Sequence, residues 1–165
     1  MGDVPLSAVA RRGVQIVGCL LWRLLPLRPG RRDARPGLND PHATLIFLSA
    51  EGKVVATSVG VAANFESRRI GLLNRDSLRP DEGLLLSPGG SIHTVGMRFA
   101  IDVLFLDTRM QVLKRVFRLP PWRVAFAPSG TQYVLELAPG RIVATDIEDG
   151  THLLWLECRP GESSE

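Results

Sequence analysis

The sequence predicts a mainly β domain with one short helix (α+β), folded as a small closed or nearly closed β-barrel and preceded by a tail. Three observations lead to this prediction. Short apolar runs rich in β-branched and aromatic residues alternate with turn residues across positions 43–158. Within 43–158, residues 62–75 form the one stretch with helical spacing of apolar side chains. The 16 Gly and 12 Pro among 165 residues supply many turns without reaching a low-complexity composition.

The chain divides by composition into a basic tail, one body domain and a short end. Residues 1–42 carry seven Arg against three Asp, whereas residues 43–165 carry 13 basic and 14 acidic residues. Because the excess positive charge belongs to the tail, the body lacks the clustered basic face that nucleic-acid binding needs. We therefore predict a single domain over 43–158, a disordered C-terminus over 159–165 and no nucleic-acid partner.

The tail contains an apolar segment, 14–27, directly after the pair Arg11-Arg12. Its composition fits a secretory signal, a lipoprotein signal ending at Cys19, an amphipathic segment lying on a membrane, or a docking helix. Arg23 interrupts the apolar run, and no stretch reaches the length of a membrane span. Residues 28–41 hold three Pro, two Gly and several Arg, so we expect a linker without helix or strand. These features favour the cytoplasm, with envelope association or export as alternatives.

The body reads as strands around one helix. Asn64 is placed to cap a helix within 62–75, and Gly71 inside it is tolerated where another backbone packs closely. The predicted strands are 43–49 and 53–59 as a hairpin, 84–86, 101–106 and 111–119 as a second hairpin, 133–137 and 153–157.

Asp102 is the most informative single residue, because it lies within the strand IDVLFL, which is otherwise apolar on both faces. A bare carboxylate there would cost several kcal/mol, so it requires donors or a cation. One interpretation is a polar pocket floored by Asp102, with His93, Thr94 and Arg98 around it. The other is that Asp102 accepts backbone N–H bonds from a loop and fixes that loop.

Glu136 poses the same question in the strand YVLEL. If Tyr133, Leu135 and Leu137 face the core, alternation directs Glu136 to solvent. If Glu136 instead faces the barrel mouth, it and Asp102 form a carboxylate pair suited to general acid–base chemistry. Arg69 either belongs to a solvated helix face or reaches the same mouth.

No motif for a metal or cofactor is present. The three His are 51 and 59 residues apart, and neither Cys fits a CxxC pair. The sequence also lacks a GxSxG nucleophile elbow and a phosphate-binding loop ending in GK[ST]. We expect no metal and no cofactor.

Three separated blocks resemble one known family. The blocks NFESRRIGLLNRDSL (64–78), SIHTVGMRFAIDVLFLD (91–107) and YVLELAPG (133–140) resemble the family called domain of unknown function 192, a group of small bacterial and archaeal proteins. They look like its branch with an IHT-x-x-MRF-x-ID central motif. The resemblance implies a compact, mainly β domain with a helix near its start, over about 43–158. It supplies no reaction.

The family motifs correspond to definite positions in this chain. Ala100 stands where members commonly have Pro, which frees a backbone N–H before Asp102. The matching positions are His93, Thr94, Met97, Arg98, Phe99, Ile101 and Asp102 in the central motif, Leu135, Glu136 and Gly140 in the late motif, and Arg68, Gly71, Leu72, Leu73 and Arg75 in the helical motif.

These observations favour a non-catalytic β-barrel module that binds a small molecule, peptide or glycan at a polar mouth around Asp102. The alternatives are an envelope-associated structural protein, and a hydrolase-like enzyme using Asp102 or Glu136 with His93. The expected partner is a small ligand or a protein, and the tail is expected to allow peripheral membrane contact. The candidate ligand-binding residues are His93, Thr94, Arg98, Asp102, Glu136 and Arg69.

Overall fold

The computed structural model describes residues 44–158 and the two-residue strand Arg28–Pro29. The rest of the tail, including the apolar segment 14–27, lies outside the described residues, as does 159–165. Arg28–Pro29 falls within the segment predicted as a linker without strand, yet it pairs with the last strand of the domain.

The described residues form ten strands and two short helices, which confirms the mainly β class. The strands are β1 Arg28–Pro29, β2 Thr44–Ser49, β3 Val54–Ala62, β4 Glu82–Leu86, β5 Ile92–His93, β6 Ile101–Leu106, β7 Val112–Leu119, β8 Val124–Ala125, β9 Tyr133–Leu137 and β10 Leu153–Cys158, and the helices are α1 Phe65–Ile70 and α2 Arg141–Thr145.

One sheet carries most of the fold. Its strand order is β1-β10-β2-β3-β4-β9-β6-β7, and all neighbours are antiparallel except the pair β3 and β4. An isolated bridge joins Gln111, directly before β7, to His152, directly before β10. These two strands lie near opposite ends of the strand order, so the bridge brings the ends of the sheet together. The sheet therefore curls into a half-barrel. The strands β5 and β8 form a separate two-stranded sheet.

Both faces of the curled sheet are covered, because its central strands are apolar on both sides. All six residues of β6 and all five of β9 are buried. One apolar cluster, which we call the inner cluster, fills the concave face and includes Phe47, Leu104, Leu135 and Ile142. An outer cluster covers the other face and includes Val103, Val134, Leu72 and Met97.

The helices differ from the sequence prediction. Asn64 caps α1 as expected, with its side chain accepting from Ser67 N at 2.7 Å. The helix ends at Ile70, well before residue 75, because Gly71 adopts φ of +46° and leaves the helical region. The second helix, α2, lies between the predicted strands 133–137 and 153–157, where no helix was predicted.

Candidate functional site

A cavity of about 260 Å³ lies on the outer face of the sheet, against β9. Its walls come from α1 and the turn after it, from the segment that joins β4 to β5, and from Met97. The polar side chains among its lining residues are Arg68, Arg69, Ser91, His93 and Glu136. Of the six sequence-predicted site residues, three line this cavity, namely Arg69, His93 and Glu136.

Glu136 is the group at the base of this cavity. It lies in the middle of β9, pairs with Leu84 and Val103 on the flanking strands, and is only 5% exposed. Within the described part of the chain, its Oε2 atom has no hydrogen-bond partner, and it is the only buried side-chain N or O atom in that state. Burial without a partner disfavours the ionised form, and it raises the pKa of Glu136 to about 7.

Arg68 and Arg69 reach the cavity from α1. Arg68 Nη1 donates to the carbonyl oxygens of Ala63 at 3.4 Å and Ser87 at 3.2 Å, so the guanidinium joins the start of the helix to the end of β4. Arg69 is exposed and lines the cavity. The cap at Asn64 sets where the helix begins, and it thereby fixes both arginines relative to β4.

His93 and Thr94 are adjacent in sequence but lie in different environments. His93 is exposed, lines the cavity and pairs with Val124 on β8. Thr94 is buried outside the cavity lining, where its hydroxyl donates to Pro120 O at 2.7 Å and accepts from Arg123 N at 3.0 Å. Thr94 therefore ties the β5 segment to the chain that leads into β8.

Arg98 lies at the surface, away from the cavity lining. Its guanidinium is paired with the carboxylate of Asp76, and both side chains are mostly exposed. The sequence-based interpretation placed Arg98 beside Asp102, but the structure gives it a different acid as partner.

Asp102 is completely buried, and both of its carboxylate oxygens accept backbone N–H groups. Oδ1 accepts from Arg118 N at 2.8 Å, and Oδ2 accepts from Ile142 N at 2.9 Å. The β6–β7 register shifts between the pairs of Ile101 and Val103, so the irregularity frees the Arg118 N–H from the ladder. Asp102 thus holds β7 and the first turn of α2 in place, as the second interpretation of this residue required.

Asp102 and Glu136 do not form a carboxylate pair. Asp102 lies opposite Leu137 on β9, whereas Glu136 lies opposite Val103 on β6. Because residues directly opposite each other share a face and successive residues alternate, the two carboxylates project from opposite faces of the sheet. Asp102 belongs to the inner side and Glu136 to the outer side.

Gly89 is a cavity residue that the sequence reasoning did not select. A Cβ at this position would lie 2.6 Å from the Tyr133 carbonyl carbon, so only glycine lets this segment lie flat on β9. Gly89 N donates to Gln132 O at 2.6 Å, which fixes that contact. Gly90 beside it has open space around its Cβ position. In the sequence, the Gly89-Gly90 pair was the one indication that the segment between β4 and β5 lies close to another strand.

No group of three or more His, Cys, Asp or Glu side chains within 44–158 is arranged to hold a metal ion. No helix in that part of the chain has the length and apolar character needed to cross a bilayer.

The fold and the site together define a mainly β domain with a polar cavity on the outer face of its sheet. The family model for domain of unknown function 192, described as "Uncharacterized ACR", matches residues 46–155. The chain belongs to this family, as the three sequence blocks indicated.

Two relatives of the chain are both named UPF0127 proteins. A UPF0127 protein of Pyrococcus furiosus is 32% identical over 111 residues, which cover 64% of this chain and 92% of the relative. A UPF0127 protein of Thermococcus sibiricus is 30% identical over 118 residues, which cover 67% of this chain and 74% of the relative.

Two solved structures share the fold. A candidate transcription regulator from Sinorhizobium meliloti superposes with a TM-score of 0.61 at 21% identity, over 67% of this chain and 91% of that one. A protein of unknown function from Novosphingobium aromaticivorans superposes with a TM-score of 0.59 at 19% identity, over 67% of this chain and 82% of that one. At these identities the likeness extends to the fold alone.

Proposed function

We propose that this domain binds a small polar ligand in the cavity at Glu136, and that the Glu136 carboxyl group hydrogen-bonds the ligand. The observation that carries this proposal is the buried Oε2 atom without a partner among the described residues. Buried polar atoms in folded proteins nearly always have a hydrogen-bond partner, and carboxyl groups with a strongly shifted pKa cluster at functional sites. A ligand that donates a hydrogen bond to Oε2 supplies the missing partner.

The cavity lining suggests the chemistry of such a ligand. A volume of about 260 Å³ lies just below the range of about 300–1,000 Å³ that is typical of small-molecule sites, so the ligand must be compact. Leu72, Leu86 and Met97 give the cavity an apolar wall, and Arg69 adds an exposed cation. This combination favours a compact molecule with a hydroxyl or amino donor for Glu136 and an anionic or polar group for Arg69.

The sequence predicted a binding site around Asp102, whereas this proposal places it at Glu136. Both oxygens of Asp102 are used by backbone N–H groups, so that carboxylate has a structural task on the inner side of the sheet. The candidates His93, Arg69 and Glu136 remain in the proposed site, because all three line the cavity.

A thermal-shift screen of the full chain tests the proposal. Amino acids, monosaccharides and short peptides are the probes, and the matched variants are Glu136→Gln in the cavity and Glu148→Gln on an exposed turn. A ligand at 100 times its Kd adds about 2.7 kcal/mol of stability to the folded state. We expect a stabilising compound to lose at least tenfold in affinity with Glu136→Gln and to bind Glu148→Gln unchanged.

The result that contradicts the proposal is a compound that binds Glu136→Gln and the unaltered chain with equal affinity. Binding would then use another part of the molecule. Equal unfolding midpoints of the two variants without ligand, measured at pH 4 where Glu136 is protonated in both the folded and the unfolded chain, would show that any loss of affinity is not a loss of fold.

A second candidate function is general acid–base catalysis, and one observation favours it. Glu136 and His93 line the same cavity, and a pKa of about 7 lets Glu136 exchange a proton near neutral pH. Assays with ester, amide and glycoside substrates distinguish it from simple binding. Turnover that falls at least 100-fold with Glu136→Gln, and that has an inflection near pH 7, would establish an enzyme.

A further inference from the structure

A row of exposed apolar side chains projects from the small sheet formed by β5 and β8. Trp122, Val124 and Phe126 occupy alternate positions along β8 and its flanks, and we call these three residues the aromatic ridge. Trp122 is 65% exposed and Phe126 is 72% exposed. Between them, Ala125 is buried in the outer cluster, so the ridge residues lie on the solvent side of the strand.

The backbone that carries the ridge is held firmly. Ile92 pairs with Ala125 and His93 with Val124, and Trp122 N donates to Thr94 O at 3.0 Å. The hydroxyl of Thr94 adds bonds to Pro120 and Arg123. These bonds hold Trp122 and Val124 outward on a fixed support, although water disfavours large exposed apolar groups.

The stretch of sequence that carries the ridge is basic. Residues 108–135 contain five basic side chains and no Asp or Glu, and one of the five, Arg115, is paired with Asp149 from outside this stretch at 2.7 Å. Two of the five are joined to the ridge itself, because Arg123 Nη1 donates to Trp122 O at 3.1 Å and Lys114 Nζ donates to Phe126 O at 2.9 Å. A cation therefore lies at each end of the row of apolar side chains.

We infer that the aromatic ridge docks on the surface of an anionic lipid bilayer. Trp and Phe side chains insert at the level of the headgroups, while flanking Lys and Arg meet the negative surface potential. The charge pattern makes the ridge complementary to such a surface. Single-stranded nucleic acid also pairs cations with aromatic groups, but Val124 at the centre of the ridge offers no ring for base stacking.

Vesicle co-sedimentation of the full chain tests this inference. The probes are vesicles of phosphatidylglycerol mixed with phosphatidylcholine, and vesicles of phosphatidylcholine alone. The matched variants are Phe126→Ala on the ridge and Phe65→Ala on α1, since Phe65 is equally large and 76% exposed. We expect binding to the anionic vesicles only, reduced at least fivefold by Phe126→Ala and further by Trp122→Ala with Phe126→Ala, and unchanged by Phe65→Ala.

Several results would overturn the inference. Absence of binding to anionic vesicles would do so, as would equal binding to neutral ones. Binding that the ridge variants leave unchanged would assign the contact to another part of the chain, such as the tail. Tighter binding of an oligonucleotide than of anionic vesicles, lost with Trp122→Ala, would identify the ridge as a nucleic-acid surface instead.

Discussion

Asp102 and Glu136 lie on adjacent strands, and both are buried acids, yet their surroundings are opposite. Asp102 receives two backbone N–H groups on the inner side of the sheet, whereas Glu136 Oε2 has no partner within residues 44–158 on the outer side. The difference shows that burial alone does not identify a functional carboxylate. The hydrogen-bond partners of each oxygen make the distinction. A carboxylate whose oxygens accept backbone N–H groups stabilises the fold, whereas a carboxyl oxygen without a partner is available to a ligand.

The largest expected effect comes from removing the acid that has partners. Asp102→Ala leaves the N–H groups of Arg118 and Ile142 without an acceptor, and each buried unsatisfied donor costs about 1–3 kcal/mol. We expect the free energy of unfolding in urea to fall by about 2–6 kcal/mol. A loss below 0.5 kcal/mol (on the order of a surface substitution) would mean that Asp102 does not organise β7 and α2.

Glu136→Gln should have an effect that depends on pH. The folded-state pKa of about 7 lies above the ordinary value of 4.5, so the unfolded chain ionises first as pH rises. The stability that protonated Glu136 contributes is complete below pH 4.5 and is lost as pH rises through 7. At 1.36 kcal/mol per unit, the loss is about 3 kcal/mol.

Gln does not ionise, so Glu136→Gln should match the unaltered chain at pH 4 and exceed it in stability by up to about 3 kcal/mol at pH 8. Urea unfolding curves at pH values from 4 to 8 measure this difference. Glu148→Gln is the control for the change of charge alone. A difference between Glu136→Gln and the unaltered chain that stays constant across this range would contradict the assigned pKa.

The smallest expected effect concerns the cavity wall. A Cβ at position 89 meets the Tyr133 backbone, whereas a Cβ at position 90 meets nothing within 4 Å. We expect Gly89→Ala to cost about 1–3 kcal/mol, as overpacked sites do, and Gly90→Ala to cost less than about 0.5 kcal/mol. Thermal or urea unfolding of the two variants makes the comparison. Equal losses would show that the segment does not lie against β9 as described.

Most of the sheet could be predicted from the sequence, because alternation and turn residues are local signals. The strand β6 and both hairpins follow directly from them. The helix α2 could not be predicted, since five residues carry no clear apolar period and their N-terminus has no side-chain cap. The end of α1 depends on the conformation of Gly71, which the apolar spacing of residues 62–75 does not reveal.

The site was predictable only in part. The apolar neighbours of Asp102 show that it is buried, but its donors come from positions 16 and 40 residues away in sequence. Alternation along β9 directs Glu136 away from Leu135 and Leu137, and that direction is correct. It does not show that distant residues such as Leu72 and Met97 cover this outer face and bury Glu136 in a cavity.

The most direct test of the central claim is a carboxyl ¹³C NMR titration of the full chain. The Glu136 resonance is assigned as the one that Glu136→Gln removes. A buried carboxyl without a partner should titrate with a midpoint near pH 7, as burial dictates. A midpoint near the ordinary 4.5 or below would show that Glu136 is solvated or already paired, and the proposed ligand site would then lose its basis.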